Sequence, residues 1–139
     1  MLTCTRHHDI SCGHRICGHE GACARLHGHN YRIHFTCQAT QGQDSLGRVI
    51  DFAVIKDTLC AWLENNWDHR TLLWAEDPLL SALAAIDPGI ASVPFNPTAE
   101  NMARYLGEVV APRCLAGTGI AVVRCTVAET AKCSATWEQ

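Results

Sequence analysis

Seven of the seventeen cysteines and histidines in this chain fall between Cys12 and His29, and that stretch ends in His27-Gly28-His29. In an extended strand, residues two apart point to the same face. His27 and His29 can therefore offer both imidazoles to one ion, while Gly28 leaves the opposite face free of a side chain. His14, or a cysteine, can close the site from a neighbouring segment. Imidazole suits zinc, and three protein ligands with an open fourth position describe a catalytic site. A closed structural zinc site that adds Cys12, Cys17 or His19 to the His-Gly-His pair is the rival reading from the same residues.

Three further positions have chemistry within reach. Cys23 precedes His27 by four residues, so its sulfur can lie beside a metal without ligating it, and a thiolate stabilised by a cation serves as base or nucleophile. Asp68-His69 follows a helical segment in a loop, where catalytic groups are often displayed, although such a pair can equally cap a helix or bind Arg70. Glu129 ends an apolar run, either as a solvated strand end or as an acceptor for a bidentate donor. His7, His8 and His34 read as surface strand residues. Cys60 and Cys125 read as small core hydrophobes.

The elements that must position these groups follow from periodicity. Leu2 to about His14 reads as a strand with Ile10, Cys12 and His14 on one face. Tyr31, Ile33, Phe35, Cys37 and Ala39 alternate with polar residues through a second. Asp51 is placed to cap a helix with the stripe Phe52, Ile55, Leu59 and Leu63. Thr98 caps another carrying Met102, Tyr105, Leu106 and Val109, with Glu100 in its first turn. The segment from Asp68 to Pro97 holds Pro78, Pro88, Pro94 and Pro97 and is predicted to be loop, with a short helix around Leu79 to Ile86. Ile120–Glu129 and Cys133–Glu138 supply the last strands. The predicted fold is α+β in the order β-β-α-α-β-β, a four-stranded antiparallel sheet with two helices and exposed edges that favour assembly.

At 139 residues and 15.2 kDa the chain suits one domain spanning 1–139, and a net charge of −3 argues against a nucleic-acid partner. The start has no apolar signal region, and no run approaches the roughly 18 apolar residues of a membrane span. Nine cysteines, an odd number without any C-x-x-C pair, read as reduced thiols in a cytoplasmic protein.

Taken together, the motifs resemble one known family. Cys23-Ala24-Arg25-Leu26-His27-Gly28-His29-Asn30-Tyr31 resembles the C-x-x-x-H-G-H-N/S-Y/F motif of the 6-pyruvoyltetrahydropterin synthase family, with the cysteine-to-histidine spacing of its 6-carboxytetrahydropterin synthase branch. Cys12-Gly13-His14-Arg15-Ile16 stands where the family has A-A-H-R-L. Val49-Ile50-Asp51-Phe52 matches V-I-D-F, and Trp67-Asp68-His69-Arg70 matches L-D-H. Asn96-Pro97-Thr98-Ala99-Glu100-Asn101 and Glu129-Thr130 match two later segments. The similarity runs through nearly the whole chain in the right order.

That resemblance implies a tunnelling fold, in which three protomers join their sheets into a barrel and two trimers stack into a homohexamer with sites at subunit interfaces. It implies zinc on His14, His27 and His29, Cys23 as proton acceptor, Asp68 and His69 as a relay, and Glu129 as the pterin anchor, with Thr98 and Glu100 also in substrate binding. The implied reaction converts 7,8-dihydroneopterin triphosphate to 6-carboxy-5,6,7,8-tetrahydropterin with release of acetaldehyde and triphosphate, a step towards 7-cyano-7-deazaguanine on the queuosine branch. The pyruvoyl-forming activity, without acetaldehyde, is the near alternative, and a non-catalytic zinc module is the alternative of another class. Cys12 and Gly13 depart from the family's small apolar pair, and Cys17 and His19 add ligand-capable groups that can tune or compete for the metal.

Overall fold

The computed structural model describes residues 1–139. Its two longest strands, β1 (Cys4–His14) and β2 (His27–Ala39), pair antiparallel from Cys4 opposite Cys37 to His14 opposite His27. The predicted alternation holds, since Ile10, Cys12 and His14 are buried from β1, and Tyr31, Ile33, Phe35 and Cys37 from β2. It breaks at Thr36, also buried, where a bulge shifts the register against the next strand. β2 begins at His27, so the His-Gly-His tripeptide is the first part of the strand.

The expected antiparallel strands are present, with β5 at Ile120–Ala128 and β6 at Ser134–Glu138, but the sheet has six strands in the order β4-β3-β1-β2-β5-β6. The prediction of four strands, and of loop between Asp68 and Pro97, is corrected by β3 (Arg70–Trp74) and β4 (Ile90–Val93). These extend the sheet in parallel beyond β1, joined by the helix Leu80–Ile86. Leu72 and Leu73 are neighbours in sequence and both fully buried, so β3 is covered on both faces and shows no alternation. Pro78, Pro88 and Pro94 fall outside these strands, where a missing N–H costs no ladder bond.

Two long helices cover one face of the sheet. The first, over 52–66, is capped by Asp51, whose carboxylate accepts from the Ala53 N–H at 2.9 Å. It contains a π-helical turn at Lys56–Cys60, beside which the Thr58 hydroxyl donates to the Val54 carbonyl at 2.6 Å, a side-chain bond that bends helices. Ile55, Leu59, Cys60 and Leu63 are buried as predicted, but Phe52 is 53% exposed. As the first helical residue it precedes the point where the helix meets the sheet, and it lines a surface groove with Leu2 and Ile50. The second long helix, over 99–114, is capped by Thr98 and has its own π turn at Leu106–Val110, just before Pro112. Proline has no N–H to return to residue 108 and would crowd that carbonyl, and the wider turn relieves both problems. The extra residue in that turn moves the buried position from the predicted Val109 to Val110.

Opposite the two long helices, the face formed by β1, β2, β5 and β6 is polar. Its side chains pair across strands: Thr5 with Thr36, Asp9 with Arg32, Ser11 with Asn30, Thr126 with Thr136 and Arg124 with Glu138. No helix is long and apolar enough to cross a membrane.

The edge strand β6 is held to the second long helix by Trp137, which packs on Gly107 and donates its indole N–H to Glu108 at 3.1 Å. A Cβ built at Gly107 would lie 2.1 Å from a Trp137 ring carbon. Gly107→Ala should therefore destabilise the fold by about 1–3 kcal/mol, measured by urea denaturation, and Gly107→Ala/Trp137→Leu should recover part of the loss.

Candidate metal centre

The register of β1 and β2 assembles the site. His14 ends β1 directly opposite His27, while Cys12 is opposite His29, so three imidazoles leave the covered face together. Ring centroids are 4.5 Å apart for His14 and His27, 5.2 Å for His14 and His29, and 5.0 Å for His27 and His29. One ring nitrogen from each lies within 4.8 Å of the others. Between them, Gly28 is opposite Gly13, and a Cβ at Gly28 would come within 3.1 Å of the Cys12 carbonyl. Close backbone approach explains that glycine.

The outer hydrogen bonds determine what the site is built to hold. His14 Nδ1 is 2.7 Å from the Pro97 carbonyl, and His27 Nδ1 is 2.7 Å from the Arg25 carbonyl. A carbonyl only accepts, so both Nδ1 atoms carry the proton, and in the neutral rings both Nε2 atoms present lone pairs. Those two Nε2 atoms face each other at 3.0 Å. Two lone pairs at that distance repel unless a cation lies between them, and a carbonyl-fixed tautomer is the usual support of a ligating histidine. The donor set fits a divalent metal such as zinc. His14 is buried, and burial is the first cause of a pKa below the usual histidine range, with the adjoining His27 and His29 acting in the same direction. Its neutral, ligating form is thereby favoured.

Glu129 joins the cluster from the end of β5. Its Oε1 is 3.4 Å from His14 Nε2 and 3.3 Å from His29 Nε2, and it accepts from the Tyr31 hydroxyl at 3.5 Å. Tyr31 is fully buried, and burial followed by the Glu129 charge pushes its phenol well above the ordinary range. Periodicity marks Tyr31 only as core. Its position two residues after His29, on the same face, is the signal that places it here.

Cys23 lies exposed in the 3-10 turn Ala22–Ala24. The connection that carries it is anchored at several points. The Ile16 N–H donates to the Cys23 carbonyl at 2.8 Å, and Asn96 makes reciprocal bonds of 3.0 and 2.9 Å to the Cys17 backbone. Arg15 donates to the buried Asp77 at 2.6 Å and to the Ala24 carbonyl at 3.1 Å. The Asn96–Asn101 segment thus has a structural role, supplying the Pro97 carbonyl, the Asn96 clamp and the Thr98 cap. The Thr98 hydroxyl accepts from the Asn101 N–H at 3.1 Å, and Glu100 is exposed in the first turn.

Asp68 and His69 stand apart from the histidine cluster. The Asp68 carboxylate accepts from the Ser11 N–H at 2.9 Å and pairs with His69 Nδ1 at 2.9 Å, so it neither caps a helix nor binds Arg70. Burial acts to raise the Asp68 pKa, but these two partners hold it below the usual carboxylate range. His69 is 82% exposed with a left-handed φ of 57°, a conformation uncommon outside glycine. Both line a groove with Ser11, Asn30 and Arg32 on the uncovered face of the sheet, whereas the three clustered histidines leave the covered face.

The rival cysteine-containing metal site is not assembled. Cys12 donates weakly to the Gly13 carbonyl, and burial pushes its thiol up to about 12. His19 Nδ1 accepts from the Gly21 N–H, and the grouped ligand atoms are those of His14, His27 and His29 alone.

The chain is similar to proteins of known family. The profile described as 6-pyruvoyl tetrahydropterin synthase matches residues 3–139. A 6-carboxy-5,6,7,8-tetrahydropterin synthase from Rickettsia felis is 36% identical, with 96% of this chain and 97% of that protein aligned. A probable 6-carboxy-5,6,7,8-tetrahydropterin synthase from Halobacterium salinarum is 41% identical over 87% of this chain and 76% of its own length. Among solved structures, an uncharacterized protein from Wolinella succinogenes superposes with a TM-score of 0.85 at 21% identity, covering 99% of this chain and 98% of that one. The Caenorhabditis elegans 6-pyruvoyl tetrahydropterin synthase superposes with a TM-score of 0.70 at 21% identity, covering 99% and 95%.

Elemental analysis after dialysis should find about one divalent metal per chain, lost in a His27→Ala/His29→Ala variant that keeps its far-UV circular dichroism. His14→Ala should lose the metal and also destabilise the metal-free fold by about 1–3 kcal/mol, because the Pro97 carbonyl is left without its donor. Metal that survives in the double variant would reject the three-histidine centre.

Proposed function

Because the chain belongs to the 6-pyruvoyl tetrahydropterin synthase family, we propose that it converts 7,8-dihydroneopterin triphosphate to 6-carboxy-5,6,7,8-tetrahydropterin, with release of acetaldehyde and triphosphate, using zinc at His14, His27 and His29. The observation that carries this reading is the confrontation of the His14 and His27 lone pairs at 3.0 Å beside Glu129, a centre arranged for a metal and a substrate together. The names of the Rickettsia relatives, aligned over nearly their full length, favour the carboxy-forming reaction. Bound zinc would supply a Lewis acid that polarises the oxygens of the substrate side chain.

The chain's own residues take the remaining roles. Glu129 accepts hydrogen bonds from the 2-amino group and ring N–H of the pterin, an arrangement that both binds and orients. Cys23, exposed in the turn before β2, accepts the proton removed from the substrate side chain. Thr98 and Glu100, at the helix start next to the Pro97 carbonyl, flank the substrate. Asp68 holds His69 by its Nδ1, leaving Nε2 to exchange a proton. Since this pair opens on the other face of the sheet, it serves the metal centre of a neighbouring protomer. The exposed edges at β4 and β6 and the polar face accommodate a barrel of three protomers and a hexamer of two such rings. The 139 residues act as one domain, in the cytoplasm.

Incubation with 7,8-dihydroneopterin triphosphate should yield 6-carboxytetrahydropterin and acetaldehyde. 6-Pyruvoyltetrahydropterin without acetaldehyde would select the family's other activity, and no turnover by zinc-loaded protein would sink both. Cys23→Ala and His69→Ala should each lower kcat by about 10²–10⁴-fold with zinc retained. Mixed oligomers of these two inactive variants should regain turnover, because some sites then combine an intact Cys23 with an intact His69 from another chain. Failure to regain any would reject the shared site while leaving the chemistry in place.

A further inference from the structure

On the polar face, far from the histidine cluster, the register places His7 of β1 directly opposite His34 of β2. Their ring centroids are 5.3 Å apart with the planes inclined by 50°. That spacing is close to the 5.2 and 5.0 Å between His29 and the other two rings of the cluster. The surrounding polar groups are committed to one another. Thr5 and Thr36 share a hydrogen bond of 2.9 Å, and Arg32 holds Asp9 through two bonds of 2.8 and 3.0 Å. Beyond His34, Thr126 is opposite it on β5, and its hydroxyl bonds Thr136 at 2.8 Å. The two imidazoles form a cross-strand pair inside this otherwise satisfied row. Burial, His7 and Arg32 lower the His34 pKa, which favours the neutral imidazole that a metal requires.

We propose that His7 and His34 form a second metal site, independent of His14, His27 and His29, for a divalent transition cation of the copper or nickel type. Directly opposed strand residues bring their side chains close on one face, so two imidazole nitrogens can occupy adjacent positions on one ion. Water fills the remaining positions, because this face is open. Two nitrogen ligands with room for a tetragonal arrangement suit Cu²⁺ and Ni²⁺, and Cu²⁺ heads the general affinity order for such donors. Zinc, which favours three or four protein ligands, prefers the histidine cluster to this two-imidazole pair. The Asp9–Arg32 pair contributes no ligand, because its carboxylate is already bound in bidentate fashion.

The test is a Cu²⁺ titration of the zinc-loaded full chain, followed by calorimetry, electron paramagnetic resonance and elemental analysis. About one Cu²⁺ per chain should bind without release of zinc, with a spectrum showing imidazole nitrogen coupling. That equivalent should disappear in His34→Gln and in His7→Gln, and persist in His8→Gln and His19→Gln. His7 is exposed, so its variant decides the matter should His34→Gln fail to fold. Copper uptake unchanged in His7→Gln, or uptake accompanied by an equal loss of zinc, would overturn the proposal.

Discussion

Two imidazole lone pairs held 3.0 Å apart impose the constraint on which the site depends. The sheet must bring His14 and His27 into register, and two backbone carbonyls must fix their tautomers. Neither condition is local. The register extends along eleven paired positions from Cys4 to His14, with Ile10, Cys12, Tyr31, Ile33, Phe35 and Cys37 packed beneath the helices. A slip of β2 against β1 by one residue would turn His27 and His29 to the face away from His14. The Pro97 carbonyl arrives from the cap of a helix far along the chain, so the site also depends on the docking of that helix against the sheet.

The division of labour between the two faces of the sheet follows from the same strands. The covered face is apolar until its last residues, where it ends in histidines, Tyr31 and Glu129. The uncovered face is a mosaic of paired polar side chains, with Asp68 and His69 at one end. A single protomer therefore carries the histidine cluster and the Asp68–His69 pair on opposite sides of one layer.

Much of this was legible before the structure. The alternation in β1 and β2, the Asp51 and Thr98 caps and the shared face of His27 and His29 follow from period and residue type alone. The parallel strands β3 and β4 do not, because Leu72 and Leu73 are both buried and the prolines nearby suggest only loop. The π turns were also hidden, and one of them moved the buried position from Val109 to Val110. Within the site, spacing could not associate Glu129 with the histidines. That association comes from the pairing of β2 with β5, where Arg32 opposite Ala128 carries the next residue to the side of Tyr31. Nor could spacing place Asp68 and His69 on the face away from the three histidines, since that depends on β3 lying alongside β1.

The late attachment of β3 has a bearing on how the molecule is built and how it breathes. β1 and β2 are joined by a connection from 15 to 26, so their contacts close early in a folding chain, whereas β3 meets β1 only across the span from Cys12 to Arg70. The histidine-bearing hairpin thus closes a much shorter loop than the strand that follows Asp68-His69. Only three residue pairs join β3 to β1, at the edge of the sheet, so opening of the β3–β4 unit is a sub-global event of lower cost than separation of β1 from β2. His69 sits just before β3, its N–H donating to the Ser11 carbonyl at 2.7 Å, so its place depends on the smaller of the two pairings.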